Sequence, residues 1–197
     1  MVSAWAIGCP DFMKAIRAYR NTAHRGRALE DLVELSNERY RQAGVAVIHR
    51  VPAAWLPIRD GRGRIVSAKI EKKAAVDFIG HVLVPGGRAL PVAFEAKEVS
   101  KGRRWPLSRL EEHQYQYLAD CARTGAAAFV LVAFWELGRF FILPFSILAI
   151  KEAGRRNGGP ASVRAEEQGL VEISFPDYLK AVVESPEIFI STDRQDG

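Results

Sequence analysis

Apolar and polar positions along this chain alternate with two different periods. From about residue 25 to about Gln42 the apolar residues Leu29, Leu32, Val33 and Tyr40 recur at helical spacing, so the pattern predicts a helix. Arg25-Gly26-Arg27-Ala28-Leu29-Glu30 opens it and Gly44 stops it. Residues 45–50 then read as a first strand. Residues 54–58 and 65–70 are extended flanks around Arg59-Asp60-Gly61-Arg62-Gly63-Arg64, which predicts a β-hairpin with a basic tip. Residues 77–84 and 90–97 alternate with period two about Pro85-Gly86-Gly87, a second hairpin. Ser108-Arg109-Leu110-Glu111 has the spacing of a capping box, and the helix it predicts runs to about Thr124, with Gly125 as its stop. Its apolar stripe is Leu110, Tyr117, Leu118 and Cys121, and the long amide of Gln114 falls within that stripe. Residues 127–134 and 139–144, parted by Glu136-Leu137-Gly138, form a closing hairpin; Pro144-Phe145-Ser146-Ile147-Leu148 reads as core packing. Residues 154–160 read as a flexible connection, followed by a short appended element.

With 197 residues and 48% hydrophobic content, the chain is long enough to bury one substantial core. The expected division is a domain over 1–153 and an extension over 154–197, packed on or appended to it. The longest apolar run, 126–135, has the length of a buried strand rather than of a bilayer span, and no leader is evident. Cys9 and Cys121 lack metal or redox spacing, so free thiols in a cytoplasmic protein are expected. The net charge of +5 is unevenly distributed. Residues 50–73 carry seven basic groups against two acids, a local +5, whereas 161–197 carry three against eight, a local −5. A basic hairpin is suited to neutralising phosphates, through Arg59, Arg62, Arg64, Lys72 and Lys73. Arg25 and Arg27 at the first helix, and Lys101, Arg103 and Arg104 beside Trp105, are further candidates for gripping a nucleic-acid backbone. His24 and His113 are candidate phosphate contacts, while His49 and His81 read as plain strand residues.

The chemistry concentrates in the second hairpin. In Val92-Ala93-Phe94-Glu95-Ala96-Lys97, strand alternation places Glu95 and Lys97 on one side and Phe94 and Ala96 on the other. Folding 77–84 back on 90–97 brings Asp77 opposite the 95–97 end. Two carboxylates offer hard oxygen ligands of the kind Mg²⁺ takes while keeping several waters. A lysine beside them can help deprotonate a water or stabilise charge developing on a phosphate. Gln114, on a face turned to the sheet, needs polar partners that such a site would supply. This is the equipment of a metal-dependent phosphodiesterase. Glu30, in the first turn of its helix, sits where the helix dipole favours a carboxylate.

The order helix with Arg-Gly-x-x-x-Glu, strand, basic hairpin, strand with Asp, strand with Glu-x-Lys, helix with Gln, strand resembles the Holliday junction resolvases of the RecU type, over about residues 20–150. The segments Val45-Ala46-Val47-Ile48-His49-Arg50, Phe94-Glu95-Ala96-Lys97-Glu98 and Glu112-His113-Gln114 are especially similar. The resemblance implies an α/β fold, the restriction-endonuclease-like αβββαβ core shared with archaeal resolvases, with a mixed central sheet. It also implies that the basic hairpin, about residues 53–74, protrudes as a stalk inserted at the junction centre. By the same resemblance Asp77, Glu95 and Gln114 are metal-site residues, Lys97 is the transition-state stabiliser, and Glu30 matches the helical acid of the wider superfamily. RecU proteins usually carry threonines just before the aspartate, where this chain has Ala75 and Val76. The expected activity is Mg²⁺-dependent resolution of four-way DNA junctions, with Mn²⁺ as a substitute, by a two-fold homodimer making paired symmetric cuts and needing no membrane. A restriction- or repair-type endonuclease on the same core is the enzymatic alternative; a non-catalytic branched-DNA-binding module is the other. Paired buried acids are costly without a cation, which weighs against the last.

Overall fold

The computed structural model describes residues 27–72 and 74–190, with the side chains of residues 70–72 excepted. Arg25, Lys73, His24 and Cys9 lie outside the described residues, as does the side chain of Lys72.

Helix α1 (Ala28–Gln42) buries Leu29, Leu32, Val33 and Tyr40, the face predicted from their spacing. Strand β1 (Ala46–Arg50) pairs antiparallel with β4 (Phe78–Val84), and β4 with β5 (Arg88–Val99). The β4–β5 turn holds Gly86 and Gly87 at φ of 87° and 76°, the left-handed region that glycine reaches without a Cβ penalty. Between β1 and β4 the chain forms a separate antiparallel ribbon, β2 (Ala54–Arg59) with β3 (Ile65–Lys72), exposed along the whole of β2. A short strand β6 (Arg104–Pro106) and a 3₁₀ turn (Leu107–Arg109) lead from β5 into helix α2 (Glu112–Arg123). The crossover returns as β7 (Ala127–Phe134), parallel to β5 in the middle of the sheet. All eight residues of β7 are buried, as a strand covered on both faces requires.

Strand β8 (Arg139–Pro144) completes the predicted closing hairpin with β7. Beyond β8 the structure departs from the sequence expectation. Residues predicted as simple core packing begin a helix, α3 (Phe145–Arg156), which runs through Gly154 and so occupies the start of the supposed flexible connection. Strand β9 (Ser162–Arg164) pairs with β6, and β10 (Val171–Ile173) joins β8 as the sixth strand of the central sheet, ordered β1-β4-β5-β7-β8-β10. Helix α4 (Lys180–Glu184) comes last; with it the described residues contain four α-helices around a mixed sheet. No helix among them is long and apolar enough to cross a membrane.

Two apolar layers flank the sheet. On one face α1 and the C-terminal segment close over Phe78, Phe94 and Phe129, whose rings stack from strand to strand with centroids 5.0 and 4.8 Å apart. Buried hydrogen bonds tie this segment to α1: Tyr40 donates to the Pro176 carbonyl at 2.7 Å and Tyr178 to Asn37 Oδ1 at 2.6 Å. On the other face Leu118, Ala122, Leu148 and Trp105 cover Val130, Val132, Phe141 and Leu143.

Gly80 is demanded by the β1–β4 contact. A Cβ there would lie 2.1 Å from the Val47 carbonyl oxygen and 2.6 Å from Ile48 Cα, both backbone atoms that cannot rotate away. Gly80→Ala is therefore expected to lower unfolding free energy by about 1–3 kcal/mol, measured by urea denaturation, as the strands part to admit the methyl group.

Candidate functional site

The β4–β5 register places Asp77 beside Glu95, because Phe78 pairs with Phe94. The alternation along β5 matches the sequence expectation. Phe94 and Ala96 join the α1 layer, while Ala93 belongs to the opposite one. Glu95 and Lys97 therefore face the α2 side. Val76, standing where the resemblance expects a hydroxyl, is fully buried among that second layer's side chains.

The two acidic side chains interlock. Glu95 Oε2 accepts the Asp77 backbone N–H at 3.0 Å, and Asp77 Oδ2 accepts the Ala96 N–H at 2.8 Å. Glu95 Oε1 accepts the Lys97 ammonium at 2.7 Å and the Gln114 side-chain amide at 2.5 Å. Gln114 Oε1 in turn accepts Lys97 Nζ at 3.2 Å and the backbone N–H of Glu111 at 3.0 Å. That last bond corrects the predicted helix start. Helix α2 is capped by the Glu111–Gln114 pair, and Ser108 lies one turn earlier in the 3₁₀ segment. Gln114 thus closes the helix N-terminus and holds Glu95 with one side chain.

Glu95 is only 2% exposed. Burial, and then the neighbouring Asp77 carboxylate, push its pKa up to about 7, against the pull of Lys97. A second anion beside a buried one is unfavourable unless a cation shares them. Asp77 lines an open cleft of about 210 Å³ with Glu95, Lys97, Glu30, Glu98 and Arg109. Two carboxylates on such a cleft fit a hard divalent cation that retains most of its waters; no three His, Cys, Asp or Glu side chains stand close enough together to ligate one ion among the described residues.

The other candidates are spread around this cleft and along the ribbon. Glu30 lies on the cleft wall, ion-paired with Arg50, which also reaches Glu34 at 3.8 Å. Arg27 is exposed at the N-terminus of α1. On the ribbon, Asp60 accepts the backbone N–H groups of Arg62 and Arg64 at 2.9 and 3.0 Å, which holds its carboxyl below the usual range. Arg64 also pairs with Asp60, and Arg59 donates to the Gly63 carbonyl, so the tip is a built turn. Arg103 pairs with Glu166, Arg104 reaches Ser162 Oγ at 3.4 Å, and Lys101 is exposed. Trp105, grouped with them on sequence proximity, is instead wholly buried, because β6 is roofed by β9. His113 contacts the Ala74 carbonyl at 3.1 Å and Glu111 at 3.6 Å; His49 and His81 lie in β1 and β4.

Sequence reasoning misses two residues at this cleft. Glu98 accepts the Leu29 N–H at 2.7 Å and the Trp135 indole N–H at 3.0 Å, anchoring α1 to the end of β5. Arg109 reads in the sequence only as part of a helix start, yet its guanidinium donates to the Glu98 carbonyl at 2.7 Å and lines the cleft. Nothing local to either residue announces this, since both arrive through contacts across the fold.

Comparison with known proteins gives a consistent result. Residues 24–180 match the family described as RecU, Recombination protein U. The chain is 31% identical over 170 residues to the Holliday junction resolvase RecU of Pediococcus pentosaceus, covering 80% of this chain and 82% of that protein. It is 30% identical over 181 residues to the protein of the same name from Lactobacillus delbrueckii subsp. bulgaricus, covering 86% and 84%. The Geobacillus protein of that name is 29% identical over 160 residues, covering 78% and 77%.

Proposed function

The chain belongs to the Recombination protein U family, and on that basis we propose that it is a Holliday junction resolvase, an endonuclease that hydrolyses phosphodiesters of four-way DNA junctions in paired symmetric cuts. The observation that carries this reading is the convergence of Asp77, Glu95 and Lys97 on one cleft at the end of β4 and β5, with Gln114 hydrogen-bonded to both Glu95 and Lys97. The sheet order and the β5–β7 crossover support a restriction-endonuclease-like core.

Asp77 and Glu95 would hold Mg²⁺, or Mn²⁺ in its place. When bound, such a cation supplies charge neutralisation at a phosphoryl oxygen and acidifies water near pH 7. The protein's own part rests on its hydrogen bonds. Gln114 and the Asp77 amide fix Glu95 in one orientation. Lys97 has three N–H donors and spends two on Glu95 and Gln114, leaving one for the attacking water or the phosphate. The water oxygen adds to phosphorus as its proton passes to solvent, the bridging P–O bond breaks and the leaving oxygen takes up a proton from solvent, while Lys97 offsets the charge that develops. Glu30, tied to Arg50, steers the cleft's electrostatics from α1.

Two symmetric cuts call for a two-fold homodimer presenting two such sites. In this reading the ribbon of β2 and β3 is a stalk entering the open centre of the junction, and Arg27, Arg59, Arg62, Arg64, Lys101, Arg103 and Arg104 contact backbone phosphates, with Arg25, Lys72 and Lys73 as further candidates. Labelled four-way junction and matching linear duplex, each with and without Mg²⁺, form the test. Paired nicks confined to the junction with Mg²⁺ are expected; equal cutting of the duplex would move the assignment to a generic endonuclease.

The stalk role makes its own forecast. Replacing Arg59, Arg62 and Arg64 together with Ala should weaken junction binding far more than duplex binding and reduce the salt slope by about three phosphate contacts' worth. The fold should survive, because β2 is exposed throughout and the ribbon pairs with no strand of the central sheet. Equal losses on both DNAs across a salt series would remove the junction-reading role.

A further inference from the structure

Resting on the resolvase reading, we propose that Arg109 binds the DNA phosphate flanking the scissile one and so positions the strand for cleavage. The cleft is acidic: Glu30, Asp77, Glu95 and Glu98 all line it, and a polyanion must approach them. Two of the nearby cations are already committed to carboxylates, Lys97 to Glu95 and Arg50 to Glu30 and Glu34. Arg109 is different. It lines the same cleft and is exposed, and its partner among the described residues is a neutral carbonyl, that of Glu98. Its charge is therefore available to an incoming phosphate.

The guanidinium is also held in place in advance. Its 2.7 Å bond to the Glu98 carbonyl uses one Nη1 donor of a rigid five-donor fork. The anchor does not swing, because it is a backbone carbonyl of β5 where that strand pairs with β7, and the Glu98 side chain is tied to Leu29 N–H and the Trp135 indole. Arg109 closes the 3₁₀ turn Leu107–Arg109, whose Leu107 is buried, just ahead of the helix that delivers Gln114. Binding therefore orders little that is free, the condition under which an arginine–phosphate contact gives most affinity. The carbonyl that holds Arg109 belongs to the residue after Lys97 on β5, and both side chains line the same cleft, so a strand whose scissile phosphate sits at Lys97 would present a neighbouring phosphate to Arg109.

The experiment compares wild type, Arg109→Ala and Arg109→Lys in single-turnover cleavage of a four-way junction, unmodified or with one methylphosphonate at either flanking phosphate. Arg109→Ala should cut the unmodified junction about tenfold more slowly at subsaturating enzyme, raise Kd, and reduce the salt slope by about one, with Arg109→Lys intermediate and both melting temperatures unchanged. At one flanking position the neutral phosphate should slow wild type by a similar factor and Arg109→Ala no further. Losses that multiply at both positions, or an Arg109→Ala enzyme as fast as wild type, would overturn the assignment, as would a lowered melting temperature with equal losses on every substrate. Cleavage of the unmodified junction by wild type stands or falls separately, so failure of the resolvase reading is distinguishable.

Discussion

Asp77→Asn is expected to abolish junction cleavage, by on the order of 10³-fold or more, while junction binding stays intact or tightens. The size reflects the charge balance. The cation's contribution to transition-state stabilisation is worth several kcal/mol, and three decades of rate correspond to about 4 kcal/mol. Binding is spared because an anion facing the phosphate backbone is removed. Asn is the conservative choice here: it keeps the shape of the side chain, and its remaining oxygen can still accept the Ala96 N–H. Glu95→Gln should abolish cleavage equally but perturb more, since Glu95 uses both oxygens as acceptors and a Gln amide would meet a donor on either side. A second measurement avoids reliance on activity. Added Mg²⁺ should raise the wild-type melting temperature by relieving the repulsion between Glu95 and Asp77, and should fail to do so for Asp77→Asn. If either variant cuts at a near wild-type rate, or the Mg²⁺ shift persists without Asp77, the carboxylates are not the cation's ligands.

Lys97→Ala is expected to lower the single-turnover rate on the order of 10²-fold or more with little change in junction affinity, the usual scale for one preorganised stabilising group. The ammonium is partly buried, held by Glu95 and Gln114, and has one donor left over. It is also the internal counter-ion that pulls the Glu95 pKa down, so its loss should make protons compete more strongly with the cation at Glu95. The two effects separate at saturating Mg²⁺: a deficit that persists there belongs to the transition state. Complete recovery at high Mg²⁺ would reduce Lys97 to a support for Glu95, and parallel loss of affinity would make it a plain phosphate contact.

The hairpin that carries Asp77, Glu95 and Lys97 is legible in the sequence, because everything it needs is local. Period-two alternation, a Pro-Gly-Gly turn and the fixed count of residues from turn to Asp77 and to Glu95 set the register, and a one-residue slip would turn Phe94 outward. The α1 stripe and the wholly apolar β7 are legible for the same reason. The start of α2 is less determined. Ser108 with Glu111 and Glu111 with Gln114 both have capping-box spacing, and the choice falls to the latter because Leu107 is buried in the core, where the chain makes a 3₁₀ turn first.

Other features come from contacts between distant parts of the chain. The three residues of β10 carry too short a pattern to declare a strand, and they become one only because β8 presents a free edge. Trp105, set among basic residues, is buried because β9, nearly sixty positions later, pairs over it. Glu30 meets Arg50, and Arg109 meets the Glu98 carbonyl, only after α1 and the 3₁₀ turn dock at the end of β5. Hydrophobic period and turn chemistry act over a few residues and so are written in the local order of the chain. Strand addition, burial of a lone aromatic and the pairing of an isolated charge depend on closing long loops onto a formed sheet, which no window of sequence contains.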